Sequence, residues 1–337
     1  GLTKPDLMIA GLNAAFSKIA SQLTAYTTSF STSLPQVATS GNASYSTLYD
    51  ANNWTGEVVA SDLSFSATTG DPVLTEKWRF TDKLATQLAG TDWKSSGKRR
   101  VVTWNGSAGA QFCSGTPGCS LPISATQLTA LDTSYTTGDD SANYLNYLRG
   151  DRTNEQGTTG GTKAYRTRTK LLGDIVGSKA GVVGPPSLPL SDGPNPGYGA
   201  FKATWKDRPT IVYVGANDGM MHAIHGDVSG TATPAGGTEL FAYVPAALFQ
   251  GPNGTPNVDG LAALGNPSFQ HHFMVNATPT AYDVDFSRTV GGTPSGAGNW
   301  HSILVGGLGK GGRSYYAIDV TDPVGMSNGG EAAVARN

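Results

Sequence analysis

The stretch that decides the fold is Thr210-Ile-Val-Tyr-Val-Gly-Ala-Asn-Asp-Gly-Met-Met-His-Ala-Ile-His225. Its β-branched and aromatic residues, such as Ile211 and Tyr213, suit a pleated and half-buried strand. Asn217-Asp218-Gly219 predicts a turn, because Asn and Asp tolerate left-handed backbone angles and Gly adopts positive φ without steric cost. A third strand follows a glycine turn in Gly237-Thr-Glu-Leu-Phe-Ala-Tyr-Val244. Antiparallel strands joined by glycine turns are typical of a β-propeller blade.

The order of strands recurs further along the chain. A first set is predicted at 174–186, 210–215, 219–225 and 238–244, and a second at 273–283, 300–307 and 314–320. Val214 and Val305 occupy corresponding strands of the two sets. Their separation in sequence is about twice the length of a usual blade of ~40–45 residues. We therefore predict two adjacent blades with long insertions at 245–270 and 286–299. Two blades of which one is degenerate are the alternative.

Composition supports a mainly β fold. The 337 residues include 45 Gly and 19 Pro with only 14% charged residues, while aromatic residues at 9% argue against simple disorder. The predicted organisation is a helix of an upstream domain at 1–25, a Ser/Thr-rich connector at 26–47, and a partial propeller of quinoprotein-like blades at 48–337. A short helical insertion is predicted around 124–150.

Charge is balanced and dispersed. The formal net charge is −2, and the only compact basic cluster is Lys98-Arg99-Arg100, next to a predicted strand. Nucleic-acid-binding proteins usually show a basic stripe across a whole face, so we predict a solvated strand entrance here and no nucleic-acid partner. No run reaches the roughly 18 apolar residues of a membrane helix, so no membrane span is predicted.

The two cysteines lie in Cys113-Ser-Gly-Thr-Pro-Gly-Cys119. A loop this short, with Pro117 and Gly118 in it, can bring the two Cα atoms within disulfide range. We predict a Cys113–Cys119 disulfide, which indicates an oxidising compartment. Two unpaired thiols in a reduced protein are the alternative.

The tripeptide Arg149-Gly150-Asp151 is the one that integrins recognise. It also follows the helical pattern of Tyr144-Leu-Asn-Tyr-Leu148, where a glycine ends a helix naturally. Its Arg and Asp suit a local salt bridge. We favour the structural interpretation.

Metal ligands are predicted to be absent from this segment. Asp283 and Asp285 would share one strand face, and Asn257 and Asp259 would lie in a loop, so each pair could give oxygens to calcium. Neither pair has a third and fourth ligand nearby, and surface turns explain both. Histidines three apart on a strand, such as His222 and His225, point to opposite faces.

The glycine-rich run Gly306-Gly-Leu-Gly-Lys-Gly-Gly312 is similar in composition to a phosphate-binding loop. Such a loop ends in Gly-Lys-Ser/Thr and opens a helix. Here Gly311 follows the lysine and the next segment has the pattern of a strand. The run therefore predicts a hairpin turn.

Several motifs follow one another in a distinctive order. They are Trp54-x-Gly56, Leu145-Asn-Tyr-Leu-Arg-Gly-Asp151, Leu172-Gly-Asp-Ile-Val176, Val212-Tyr-Val-Gly-Ala-Asn-Asp-Gly219 with His222-Ala223, Phe241-Ala-Tyr-Val-Pro245, and Leu304-Val-Gly-Gly-Leu-Gly-x-Gly-Gly312 with Ala317-Ile-Asp-Val-Thr-Asp-Pro323. Over residues 48–323 they closely resemble the C-terminal β-propeller of PilY/PilC-type proteins, the tip-associated adhesins and assembly factors of bacterial type IV pili.

The resemblance implies an extracellular protein, exported through the periplasm and placed at the pilus tip with minor pilins. It implies roles in pilus assembly, retraction control, adhesion and twitching motility, with an unidentified host or surface receptor. It also implies a calcium loop of the Asp-x-Asp-x-Asp-Gly type, which is absent from this sequence and expected beyond it, so no cofactor is assigned here. The tail at 325–337 departs from the family, where a return strand is usual.

Completion of the propeller is expected from missing sequence or another chain, because a closed propeller needs about four to eight blades. Two other functions remain open. A quinone-dependent periplasmic dehydrogenase would use similar blades, but it commonly has adjacent cysteines, and Cys113 and Cys119 are separated. An outer-membrane assembly scaffold is the third candidate. We predict a binding protein and not an enzyme.

Overall fold

The computed structural model of the protein describes residues 36–40, 42–90, 99–115, 118–161, 163–288 and 296–336. The helix predicted at 1–25 lies outside these residues. The described chain is mainly β, with strands in three sheets and short helices between and after them. None of the described helices is both long and apolar enough to cross a membrane.

Sheet one is an antiparallel meander of β1 (Gln36–Ser40), β2 (Ala43–Asp50), β3 (Thr55–Phe65) and β4 (Pro72–Arg79). The prediction of a connector at 26–47 is therefore wrong from Gln36 onward. Serine and threonine mask the strand pattern there, but Tyr45 pairs in register with Ala60 and both are buried. Ser44 and Ser46 are buried as well, so this strand has no solvent face to mark it in the sequence.

Sheet two contains the stretch that decides the fold. Its strands are β5 (Val101–Trp104), β6 (Gly109–Gln111), β7 (Gly181–Val183), β8 (Ile211–Gly215), β9 (Met221–His225) and β10 (Glu239–Val244). Their order across the sheet is β6-β5-β10-β9-β8-β7. The predicted β8–β9 hairpin and β10 are confirmed, and β5 pairs with β10 in parallel.

Sheet three holds β11 (Thr280–Asp285), β12 (Trp300–Gly307) and β13 (Tyr315–Asp319), in that order. It confirms the predicted strands at 300–307 and 314–320, whereas the one predicted at 273–283 begins only at Thr280. The glycine-rich run joins β12 and β13 as a hairpin. The predicted insertion at 245–270 carries only short helical turns. Part of the one at 286–299 lies outside the described residues.

Seven short α-helices surround the sheets in the described part of the chain. They are α1 (Phe80–Gln87), α2 (Ala125–Thr129), α3 (Ser141–Arg149), α4 (Tyr198–Thr204), α5 (Pro256–Asp259), α6 (Pro323–Asn328) and α7 (Glu331–Arg336). Helices α2 and α3 lie within the predicted insertion around 124–150. A disulfide joins Cys113 and Cys119 between β6 and α2, with Cα atoms 6.1 Å apart, as the sequence predicts.

The three sheets pack face to face, with sheet two in the middle. One of its faces shares a buried cluster with Tyr45 and Trp78 of sheet one, while the other meets sheet three where the rings of Tyr243 and Tyr316 lie 5.2 Å apart. Hydrogen bonds reinforce the first contact, since the Trp78 indole donates to the carbonyl of Asp227 at 2.8 Å. Stacked and mainly antiparallel sheets of this kind form a partial β-propeller.

The chain after β13 folds back onto sheet two as α6 and α7. The backbone N–H of Val101 donates to the Glu331 carboxylate at 2.9 Å, and Ser327 donates to the carbonyl of Leu240. A Cβ at Gly109 would lie 1.7 Å from the Ala335 carbonyl oxygen, so this close approach requires glycine. Helices therefore stand where the family resemblance leads us to expect a return strand.

Replacing Trp78 by alanine tests the packing of sheet one on sheet two. Trp78 is 5% exposed and loses both its ring contacts and its hydrogen bond, so we expect the free energy of unfolding to fall by about 3–5 kcal/mol. Trp104 is 47% exposed, and Trp104→Ala as the matched control should cost about 1 kcal/mol or less. Urea unfolding measures both, and equal losses would contradict this packing.

Candidate functional site

The β8–β9 turn gathers several chain segments around it. Gly219 has φ of +92°, which glycine supplies at little cost. The buried Asn217 side chain accepts a hydrogen bond from the Met274 backbone and donates to the Asp174 carboxylate, at 2.9 and 2.7 Å. Asp218 accepts from the backbone N–H of Gly173 at 3.1 Å. The residues predicted as a turn thus also anchor the loop at 173–174 and the backbone of Met274.

A chain of buried charges begins at this turn. Asp218 contacts His222 Nε2 at 3.1 Å, and His222 Nδ1 lies 2.8 Å from Glu239. Glu239 pairs with the Arg99 Nε at 2.7 Å, and Arg99 Nη1 donates to the Arg149 carbonyl at 2.6 Å. His222, Glu239 and Arg99 are buried. The chain links β5, β9, β10 and the end of α3.

The electrostatics keep this chain ionised. Burial disfavours a charged His222, but the Asp218 and Glu239 carboxylates outweigh it and raise the His222 pKa to about 9. Burial acts against the Glu239 carboxylate as well, yet Arg99 and His222 lower its pKa. At neutral pH the charges therefore alternate along the chain. Because the imidazolium is buried and its two nitrogens both contact carboxylates, we assign it a structural role.

One prediction about these residues is wrong. Arg99 is not part of a solvated strand entrance, since its guanidinium is buried against Glu239 from a strand 140 positions away. No local pattern marks such a partner. As the sequence predicts, His222 and His225 do not form a pair: His222 belongs to the charge chain, and the Nδ1 atom of His225 has no hydrogen-bond partner among the described residues.

The turn at 50–54 docks beside this network. Trp54 has φ of +54°, an unusual value for a bulky side chain, and its ring stacks on His271 with centroids 4.0 Å apart. His271 in turn lies 2.8 Å from the Asp174 carboxylate. A Cβ at Gly56 would lie 2.3 Å from the Gly173 carbonyl oxygen, which explains the glycine of the Trp54-x-Gly56 motif.

Two cavities open next to the segment at 170–172. The larger, of about 440 Å³, lies between α1 and the loop at 150–153. The smaller, of about 40 Å³, reaches the charge chain and is lined by both basic and acidic side chains. The larger volume is within the usual range for a small-molecule site of about 300–1,000 Å³. Nothing in the sequence pointed to these cavities, because their walls come from distant segments.

The predicted Arg149-Gly150-Asp151 tripeptide is part of the core. Arg149 is 3% exposed and ends α3, and Gly150 terminates that helix with φ of +121°, as predicted. The predicted Arg–Asp salt bridge is wrong, since Arg149 Nη1 pairs with Glu331 of α7 at 2.6 Å. A receptor that reads the arginine could not reach it.

Most of the candidate calcium oxygens accept hydrogen bonds from protein donors. Asp283 accepts from the hydroxyls of Tyr198 and Ser302, and Asp285 Oδ1 accepts from the Ser287 hydroxyl, whereas the buried Asp285 Oδ2 has no hydrogen-bond partner among the described residues. Asp259 accepts from Thr255 and Asn253, and Asn257 lies in α5 without joining a ligand set. These groups do not fit a calcium ion. Within the described ranges, no group of three or more His, Cys, Asp or Glu could hold a metal.

Residues 172–330 match the family described as the PilY1 beta-propeller domain. Over these residues the chain is similar to the PilY1-type β-propellers. The chain is 30% identical over 338 aligned residues to "Type IV pilus biogenesis factor PilY1" of Pseudomonas aeruginosa strain PAK, covering 95% of this chain and 25% of that protein. It is 29% identical over 322 residues to "Type IV pilus biogenesis factor PilY1 homolog" of Xylella fastidiosa strain Temecula1, covering 94% and 22%.

The chain thus spans about a quarter of the length of these PilY1 relatives. No solved protein structure matches it. The PilY1-type segment contains β7 to β13 and α6, whereas sheet one, β5 and β6 precede it. The charge chain crosses this boundary, because Arg99 precedes the segment and Glu239 lies within it.

The charge chain predicts a loss of stability at alkaline pH. The folded pKa of His222 lies above the unfolded value of about 6.5, so its contribution is fully present below that pH and is lost as the pH rises through about 9. We expect the free energy of unfolding to fall by roughly 2–3 kcal/mol more in the wild type than in His222→Gln over this range. Urea unfolding at several pH values measures it. Identical pH dependence, or a His222 imidazole that titrates near pH 6.5 by NMR, would contradict it.

Arg149 and Arg152 provide a second test. Arg149→Gln leaves the buried Glu331 without its cation, so we expect a loss of about 3–5 kcal/mol. Arg152 is the matched control, because its side chain is half-exposed and its ion pair with Glu155 is long, at 3.7 Å. Arg152→Gln should therefore cost about 1 kcal/mol or less. Urea unfolding compares the two variants. Similar stabilities would show that the Arg149–Glu331 pair is not an essential contact.

Proposed function

We propose that this chain is part of a cell-surface protein that acts in type IV pilus biogenesis. The proposal rests on the match of residues 172–330 to the PilY1 β-propeller domain. Two relatives that are named as type IV pilus biogenesis factors support it. The Cys113–Cys119 disulfide supports export, because disulfides persist in oxidising compartments.

We further propose a place at the pilus tip, in contact with minor pilins. There the protein would act in assembly, retraction control, adhesion and twitching motility through a binding platform and without catalysis. Stacked sheets give a rigid scaffold, and loops on such a scaffold commonly carry recognition. The loops that converge on the β8–β9 turn provide this platform with shaped cavities. Calcium, which the family resemblance implies, we place outside this segment.

The outer face of sheet three is the proposed contact for a further blade. Tyr282, Val305 and Tyr315 share this face by register and are 63%, 45% and 84% exposed. The opposite face already packs on sheet two, and sheet two packs on sheet one in the same manner. Exposed apolar faces of this kind mark interaction surfaces. A further sheet of the intact protein would continue the stack.

Genetic replacement tests the biogenesis role. Deleting the gene for the intact protein should remove most pili from the cell surface, as measured in the sheared fraction, and abolish twitching. The intact protein with Trp104→Ala should restore both, whereas Trp78→Ala, which disrupts sheet packing, should restore neither. Unchanged piliation after deletion would refute the proposal.

Two further measurements address the finer assignment. Antibody labelling of isolated pili should mark their tips, and labelling only of the cell body would refute the tip location. Incubation of the purified protein with a quinone, calcium and an alcohol should give no dye reduction. Dye reduction would overturn the non-enzymatic interpretation in favour of a dehydrogenase.

A further inference from the structure

A short basic segment lines the smaller cavity. In Arg166-Thr-Arg168-Thr-Lys170 the cations alternate with threonine, and all three contribute to the cavity wall together with Arg99. Residues two apart in an extended chain point to the same side. The cavity therefore brings together four cationic side chains from two distant parts of the sequence.

Three of these cations are already neutralised by a carboxylate. The pairs are Arg99 with Glu239 at 2.7 Å, Arg168 with Glu155 at 2.7 Å, and Lys170 with Glu57 at 3.1 Å. Two further carboxylates line the cavity, and each has a histidine partner: Asp174 faces His271 and Asp218 faces His222. Among the described residues, one cation of the cavity wall thus has no carboxylate at ion-pair distance.

Arg166 is that cation. Within the part of the chain that the structure describes, its guanidinium donates no hydrogen bond and forms no ion pair. Its guanidinium carbon instead lies 3.6 Å from the centre of the Phe269 ring. The backbone of Arg166 is fixed on both sides, because its N–H donates to the Gly265 carbonyl and its carbonyl accepts from the Tyr147 hydroxyl.

The surroundings make this position unfavourable for a cation without a direct partner. Arg166 is half-buried, and burial lowers its pKa; Tyr147 and the Asp174 carboxylate act against this effect, while the neighbouring Arg168 adds to it. A guanidinium nevertheless stays protonated in proteins. A partly desolvated and unpaired cation is unfavourable, and a bound anion would offset that cost.

We infer that Arg166 binds the carboxylate group of an acidic ligand at this cavity. The guanidinium lies over the Phe269 ring, and its N–H groups have no acceptor among the described residues. The N–H groups of a guanidinium match a carboxylate in a bidentate manner. A volume of about 40 Å³ admits a carboxylate but not a sugar or aromatic ring, so the rest of the ligand would lie outside. The larger cavity shares Lys170, Leu171 and Leu172 with this one and offers room for it.

NMR of the purified chain tests the site. The Nε–Hε signal of Arg166, identified by its loss in Arg166→Lys, should shift saturably with acetate, with an N-acetyl-aspartyl peptide amide and with galacturonate. The tighter of the last two identifies a peptide or an acidic sugar as the source of the carboxylate. Tighter binding of inorganic phosphate than of all three would overturn the carboxylate assignment.

Variants separate specific recognition from general charge. Arg166→Gln should abolish the saturable binding, and Arg166→Lys should weaken it about tenfold, because lysine keeps the charge but loses the planar fork. Arg313→Gln is the matched control, since it removes one positive charge from an exposed position and should leave binding unchanged. Urea unfolding checks that all three remain folded.

Two results would refute the site: no saturable binding of any carboxylate at tens of millimolar, or equal weakening by Arg313→Gln. Neither depends on piliation. If no carboxylate binds but the gene restores pili, the carboxylate site is refuted and the biogenesis role is retained. If a carboxylate binds but deletion has no effect on pili, the carboxylate site is retained and the biogenesis role is refuted.

Discussion

The buried carboxylate of Glu239 is the constraint on which the middle of the molecule depends. A carboxylate without solvent is tolerated only when cations and hydrogen bonds replace its hydration. Arg99 and His222 do so from either side. To reach Glu239, Arg99 must lead β5 alongside β10, and His222 must stand on β9 with Asp218 behind it. One buried charge thus fixes the neighbours of three strands.

The same constraint shapes the end of the sheet stack. Asp218 holds Gly173, and Asn217 holds Asp174, so the chain that enters this region is pinned to the β8–β9 turn. The cations at 166–170 precede that anchor and are therefore placed along the cavity wall. A rigid scaffold and a partly desolvated Arg166 come from one network, and this is why recognition is proposed at this end.

The C-terminal helices show how a propeller edge can be closed without a strand. Glu331 on α7 accepts from Arg149 and from the Val101 backbone, and so joins α3, β5 and the tail. Removing the tail would take away the carboxylate that pairs with the Arg149 guanidinium, which is costly. The outer face of sheet three has no such cover among the described residues, and its exposed tyrosines and valines suit another sheet.

The sequence by itself determined what depends on neighbours in the chain. The β8–β9 and β12–β13 hairpins, the helix end at Gly150 and the Cys113–Cys119 bridge all follow from alternation, turn chemistry or short loops, and each was predicted. The family resemblance also rested on local motifs, and it indicated the propeller correctly.

Only the tertiary structure decided the partners of the buried charges. Arg99 meets Glu239 across 140 positions and Arg149 meets Glu331 across 182, and no local pattern encodes such pairs. The start of sheet one, inside the predicted connector, was missed because Ser44, Ser46 and Thr47 of β2 are buried, so the usual alternation of polar and apolar residues is absent there. The position of Arg166 is understood only from the folded structure, where each of the other cations of the cavity wall pairs with a carboxylate and Arg166 does not. Whether a charged side chain has a partner depends on which distant segments pack against it, and the local sequence does not specify that packing.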